Sequence, residues 1–165
     1  MQDLNVTLIQ ANQIWEDKDA NLKHFEKLFQ DLQPTDLIIL PEMFHTGFTM
    51  NTELAESMED SVGINWLVTQ AKRQHSAIYT SLIIREGEHT YNRGIFVEPT
   101  GTLSIYDKRK SFGLAGEHLH FQAGTKPVIL NYKGWNIQLQ ICYDLRFPEL
   151  VRNEIVNGKA AYDLL

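Results

Sequence analysis

Four consecutive apolar residues, Leu37-Ile-Ile-Leu40, lie between Pro34 and Pro41. A short apolar run closed at each end by proline reads as a strand buried on both faces, so this chain needs a sheet with layers on either side. The flanking sequence supplies them. Leu4, Val6 and Leu8 alternate with polar residues as a first strand. Leu22, Phe25, Leu28, Phe29 and Leu32 fall three and four apart and share one face of a helix over 17–32, which Pro34 stops. A second helix is predicted over 61–74, with Ile64, Leu67, Val68 and Ala71 inward. Strands follow over 77–84, 91–97 and 103–106, then a hairpin of 128–132 with 135–141 about Lys133-Gly134. A helix over 148–156 ends at Gly158, and residues 162–165 open another strand. The order β-α-β-α-β-β-β-β-β-α-β mixes crossovers with hairpins and predicts an α/β fold with a mixed sheet covered by helices.

Two long patternless stretches, 43–60 and 107–126, interrupt this order, and loops of that length more often serve function than connection. Between the hairpin and the last helix stands Cys142, the single cysteine among 165 residues. Ile137, Leu139 and Ile141 alternate with Gln138 and Gln140, and the alternation stops at Cys142. Pro148 then suits a first helical turn, which places the thiol on a sharp strand-to-helix turn. One cysteine forms no internal disulfide, and the N-terminus lacks the basic start and apolar stretch of a signal peptide, so a cytoplasmic location is expected. No apolar run approaches membrane-spanning length, and a net charge of −6 without a basic block argues against nucleic acid and membrane partners.

A thiol needs a base and an anion holder. Glu42 follows the buried strand as Cys142 follows its own. If both strands share a sheet, both side chains emerge at one edge. A carboxylate beside a thiol can act as general base. A lysine of Tyr106-Asp-Lys-Arg-Lys110 can lower the thiol pKa and hold the oxyanion of a tetrahedral intermediate, joined by the backbone N–H of Tyr143.

Three blocks carry a wider resemblance: Leu40-Pro-Glu-Met-Phe44; Tyr106-Asp-Lys-Arg-Lys-Ser-Phe112 with Gly116-Glu-His118; and Cys142-Tyr-Asp-Leu-Arg-Phe-Pro-Glu149. In this order they resemble the signatures of the nitrilase superfamily of carbon–nitrogen hydrolases, and most nearly its ω-amidase branch. The resemblance implies Glu42 as general base, Lys108 as catalytic lysine, Cys142 as nucleophile and Glu117 as an additional glutamate that positions lysine and water. It implies hydrolysis of the terminal amide of small dicarboxylate monoamides such as 2-oxoglutaramate, without metal or organic cofactor, by a protein that is commonly dimeric. It also implies a nitrilase-like α-β-β-α sandwich. Residues 1–165 would supply roughly the first half, so the domain is expected to be truncated at its C-terminal side. Lys110-Ser111 departs from the His-Leu that relatives often carry.

Several readings compete around this core. Phe44, Phe112 and Tyr143 are expected to line the pocket. Arg146 either braces the turn by pairing with Glu149, the favoured reading, or holds a substrate carboxylate. Glu117, His118 and His120 suggest a metal site only weakly. His45 or His118 could replace Glu42 in a cysteine–histidine hydrolase. Nitrilase or N-carbamoyl hydrolase chemistry is the enzymatic alternative, and an inactive fragment that associates with a partner or a second copy is the non-enzymatic one. A competent site is expected to depress the Cys142 pKa.

Overall fold

The computed structural model describes residues 2–165. The run that fixed the expectation forms β2 (Leu37–Ile39), paired in parallel with β1 (Val6–Leu8) and β3 (Ala77–Glu86). β4 (His89–Val97) and β5 (Leu103–Asp107) continue antiparallel, so one five-stranded mixed sheet runs β1-β2-β3-β4-β5. Helices α1 (Lys18–Gln30) and α2 (Val62–Gln74) supply the crossovers. Each begins where a side chain satisfies a free backbone donor: Asp17 accepts from the Ala20 N–H at 2.9 Å, and Ser61 from the Ile64 N–H at 2.9 Å. Two long loops, as expected, separate β2 from α2 and β5 from the next strand.

Alternation within the strands divides two cores. Ile38, Ile78, Leu82, Ile95 and Val97 face Phe25, Phe29, Leu67 and Ala71 of the helices. Leu37, Ala77, Phe96 and Tyr106 face the other way, against a hairpin of β6 (Ile129–Tyr132) and β7 (Trp135–Gln138). Lys133 and Gly134 both take positive φ at the hairpin turn, the geometry that matches strand twist. Helix, sheet and hairpin thus form the layers α-β-β of the expected sandwich. Gly94 is required where the two layers meet, since a Cβ there would lie 2.6 Å from the Tyr79 hydroxyl.

Three elements differ from the sequence reading. The last helix, α3 (Pro148–Val151), is a single turn. Asn157-Gly158 is not a helix stop but the turn of a small hairpin, β8 (Ile155–Val156) with β9 (Lys159–Ala160). Asn-Gly prefers positive φ at both positions, and the Asn153 side chain closes the base by accepting from Ala161 N–H and donating to the Tyr162 carbonyl. The strand expected to reach Ile141 leaves its ladder at Gln138, although Leu139 and Ile141 stay buried. Leu164 then bridges Ile137 in parallel. Among the described residues no helix is long and apolar enough to cross a membrane.

Candidate active site

Glu42 emerges from a turn that β3 pins with side chains. Thr80 donates to the Pro41 carbonyl at 2.7 Å, and Ser81 Oγ accepts from the Met43 N–H at 2.9 Å. Gln13 donates to the Met43 carbonyl at 2.9 Å from the opposite side. Met43 is forced to a φ of 49°, and this left-handed kink sends the next side chain away from Glu42. Phe44 is therefore fully buried beneath the helices, edge-on to Phe25, and does not line the site.

Lys108 follows β5 directly. Its N–H donates to the Asn92 carbonyl at 3.0 Å, and its own carbonyl accepts from Gly124, where the second long loop returns to the sheet. A Cβ on Gly124 would lie 2.2 Å from the Asp107 carbonyl oxygen, so only glycine permits this approach. The loop carries Glu117, fully buried in a one-turn 3₁₀ helix.

Cys142 opens a 3₁₀ turn over Cys142–Arg146 with φ 42°, a strained conformation for a residue with a side chain. Buried Asp144 holds the turn. It accepts from the Ile141 N–H at 3.1 Å, the Lys110 N–H at 2.8 Å and the Tyr106 hydroxyl at 2.7 Å. One carboxylate thereby ties the cysteine turn to the strand and loop that carry Lys108.

The structure brings Glu42, Lys108, Glu117 and Cys142 together. Lys108 Nζ lies 2.6 Å from Glu42 Oε1 and 3.0 and 2.9 Å from the two oxygens of Glu117. Burial opposes its charge, but the two carboxylates outweigh that and hold the ammonium above the ordinary lysine range. The thiol behaves oppositely to expectation. Desolvation and then the Glu42 charge push the pKa of the exposed Cys142 up, against the pull of Lys108. Cys142 borders a cavity of about 320 Å³ shared with Glu42, Tyr79 and Thr80, and an adjoining apolar cleft that includes Leu8 and Leu145.

Phe112 and Tyr143 form an aromatic wall on the cysteine turn, ring centres 5.0 Å apart and edge to face, but neither lines the cavities that Cys142 borders. Phe147 extends this wall beyond Tyr143, and Phe48 lies under Lys108 Nζ at 5.2 Å from its ring centre. Bracing between Arg146 and Glu149 does not occur. Glu149 pairs with Lys110 at 3.3 Å, and exposed Arg146 makes no ion pair among the described residues. Neither histidine joins the thiol. His45 is buried against Glu56 at 3.2 Å, while His118 is exposed. Among the described residues no group of three or more histidine, cysteine, aspartate or glutamate side chains is arranged to hold a metal ion.

Sequence reasoning missed Asn92, Asp144 and Phe48. Asp144 stood inside the third block, a carboxylate two residues after the cysteine. Asn92 had none beyond being polar in a strand.

A family model described as carbon-nitrogen hydrolase matches residues 5–161. The chain is 40% identical over 153 residues to an omega-amidase of Escherichia coli, YafV, covering 93% of this chain and 59% of that protein. It is 30% identical over 143 residues to a 2-oxoglutaramate amidase of Bacillus subtilis, covering 84% of this chain and 55% of the relative. A crystal structure of a CN-hydrolase superfamily protein from Xanthomonas campestris, with an arsenic adduct in its active site, superposes with a TM-score of 0.94 at 38% identity, covering 99% of this chain and 63% of that one. The chain thus spans about three fifths of the length of the relatives it matches.

Proposed function

Because the chain belongs to the carbon–nitrogen hydrolase family, of nitrilase fold, we propose that it performs thiol-dependent hydrolysis of the terminal amide of small dicarboxylate monoamides, 2-oxoglutaramate among them. The observation that carries this reading is the bonded cluster Glu42–Lys108–Glu117 facing a single thiol on a strained turn.

Glu42 takes the proton from Cys142 Sγ, and the thiolate attacks the amide carbonyl. The oxyanion is met by the Lys108 ammonium and by the backbone N–H of Tyr143, one of the amides that a short helix leaves free at its start. The tetrahedral intermediate collapses, the C–N bond breaks, and Glu42 returns the proton to departing ammonia. Water then gives a proton to Glu42 and attacks the thioester, releasing the acid and restoring the thiol. Glu117 holds Lys108 in place. Tyr143 adjoins Cys142 and carries Phe112 edge-on, and Arg146, free of ion pairs among the described residues, is available for the distal carboxylate. The names of the relatives, an omega-amidase and a 2-oxoglutaramate amidase, support this substrate class over nitriles and carbamoyl compounds.

The test is an intact-mass spectrum acid-quenched seconds after mixing with 2-oxoglutaramate. An acyl adduct absent from Cys142→Ala, with ammonia release, supports the reading. Adducts from a nitrile or an N-carbamoyl amino acid but not from the amide would replace it. Exposed Val6, Leu8 and Leu145, with the apolar cleft beside Cys142, favour a second reading in which activity needs association, as in a dimer. Sedimentation velocity run alongside the ammonia assay separates the two: loss of activity on dilution, in step with dissociation, supports the second.

A further inference from the structure

Glu42 and Glu117 flank one lysine, and both carboxylates have lone pairs able to accept a proton. The hydrogen bonds distinguish them. Glu117 Oε1 accepts from Lys108 at 3.0 Å and from Asn92 at 2.9 Å; its Oε2 accepts from Lys108 at 2.9 Å and from the Phe112 N–H at 2.5 Å. Four hydrogen bonds from three donor groups fill its four acceptor positions. Glu42 Oε1 accepts from Lys108 at 2.6 Å and from Asn92 at 2.7 Å. No side chain or backbone group among the described residues donates to Glu42 Oε2.

Asn92 is common to both carboxylates. It lies in β4, 2% exposed, and its two Nδ2 protons go one to each glutamate. Its backbone carbonyl meanwhile accepts from the Lys108 N–H. Turning the amide over would set its oxygen against two carboxylates, so the network fixes its direction. Its Oδ1 has no partner among the described residues, a cost that donating both protons explains. A second cation in that position would silence both carboxylates. A neutral amide holds them without adding charge.

We infer that Asn92 is a positioning residue that locks Glu42 through Oε1, so that Oε2 is the oxygen that takes the thiol proton, and that saturates Glu117 so that it does not compete. The inference rests on the proposed role of Glu42. In the step concerned the S–H bond breaks, an O–H bond forms at Oε2, and the electron pair stays on sulfur.

The test follows alkylation of Cys142 by iodoacetamide on the intact chain, by mass, against pH. It needs no amide turnover, and Cys142 is the sole cysteine. Glu42→Gln comes first. It removes the acid limb of the profile when Glu42 is the base, and an unchanged profile overturns the proposed role of Glu42 itself. With that limb established, Asn92→Ala and Asn92→Leu are expected to alkylate about tenfold more slowly near neutral pH, with the acid limb displaced to higher pH. Asn92→Asp regains one donor when protonated, so its rate relative to Asn92→Ala should rise as pH falls. A merely structural role lowers the unfolding midpoint without moving the limb, and folded Asn92→Ala with the wild-type profile overturns the inference. If these variants do not fold, the nitrogen–proton correlation spectrum of the unaltered protein decides. Both Asn92 side-chain protons should lie downfield, one moving in Glu42→Gln and the other in Glu117→Gln. Two protons at ordinary amide positions overturn the inference.

Discussion

Replacing Asp144 separates the hold on the cysteine turn from the chemistry around it. Asp144 Oδ2 accepts from the Tyr106 hydroxyl and the Ile141 N–H, and Oδ1 from the Lys110 N–H. Asp144→Ala strands the buried Ile141 N–H at about 1–3 kcal/mol and costs the Tyr106 hydroxyl its shorter hydrogen bond at about 0.5–1.5 kcal/mol, since that hydroxyl keeps Gln140 Oε1 at 3.2 Å, while the Lys110 amide turns to water at little cost. Against this, the turn can relax the left-handed Cys142, which returns about 1 kcal/mol. A net loss of about 0.5–3.5 kcal/mol is expected. Asp144→Asn keeps one oxygen. Placed at the Oδ2 position it still serves Tyr106 and Ile141, and only the Lys110 amide meets an N–H group, so the loss should be about 1–2 kcal/mol. Urea unfolding gives these values. Ammonia release and Cys142 alkylation give the functional half: a nucleophile freed from its turn should slow both by about 100-fold in the alanine variant. Equal destabilisation by Asn and Ala, or wild-type rates in Asp144→Ala, would refute the reasoning that this carboxylate holds the thiol in place.

Other predictions follow from the charged groups. The Lys108 ammonium is held above its ordinary range by Glu42 and Glu117 despite burial. Its stabilisation is fully present below about pH 10 and is lost as pH rises through the elevated folded value. Lys108→Met should therefore be less stable at neutral pH but show a flatter urea midpoint above that pH. Burial opposes ionisation of Glu56, yet His45, Lys18 and Ser61 hold its carboxyl far below the usual carboxylate range. Its contribution is present above about pH 4.5 and lost as pH falls further, so Glu56→Ala should flatten the acid side of the melting-temperature profile. Arg146→Ala should raise KM for 2-oxoglutaramate about tenfold, leave KM for a neutral amide unchanged, and leave the unfolding midpoint where it was.

The layers of the fold were legible because they rest on periodicity. Leu37-Ile-Ile-Leu40 has no polar face to expose, and Leu22, Phe25 and Phe29 have one face to bury, so sheet and helix follow from local pattern. Glu42, Lys108 and Cys142 converge because Ile39, Tyr106 and Ile141, one to three residues before them, pack into one core. What stayed hidden depends on single dihedrals or distant partners. The kink at Met43 reverses Phe44, and no composition rule announces a left-handed methionine. Glu149 finds Lys110 across the fold rather than Arg146 three residues away, because the second long loop folds back over the turn. Asn92 reads as one more polar strand residue until β4 is set beside both carboxylates. Asn157-Gly158, by contrast, carried a strong hairpin signal that the proline-led helix reading overrode.

The thiol and its carboxylate partner are about a hundred residues apart in the chain, and Lys108 comes from the antiparallel half of the sheet while Glu42 comes from the parallel half. No local segment assembles the site. Until β2, β5 and the β6–β7 hairpin have all docked, Cys142 is an ordinary thiol on an open chain. Folds dominated by contacts so remote in sequence form slowly. The surroundings of Cys142 therefore report on the docking of β2, β5 and the hairpin together. Quenched-flow labelling of Cys142 during refolding would therefore serve as a clock for completion of the sheet.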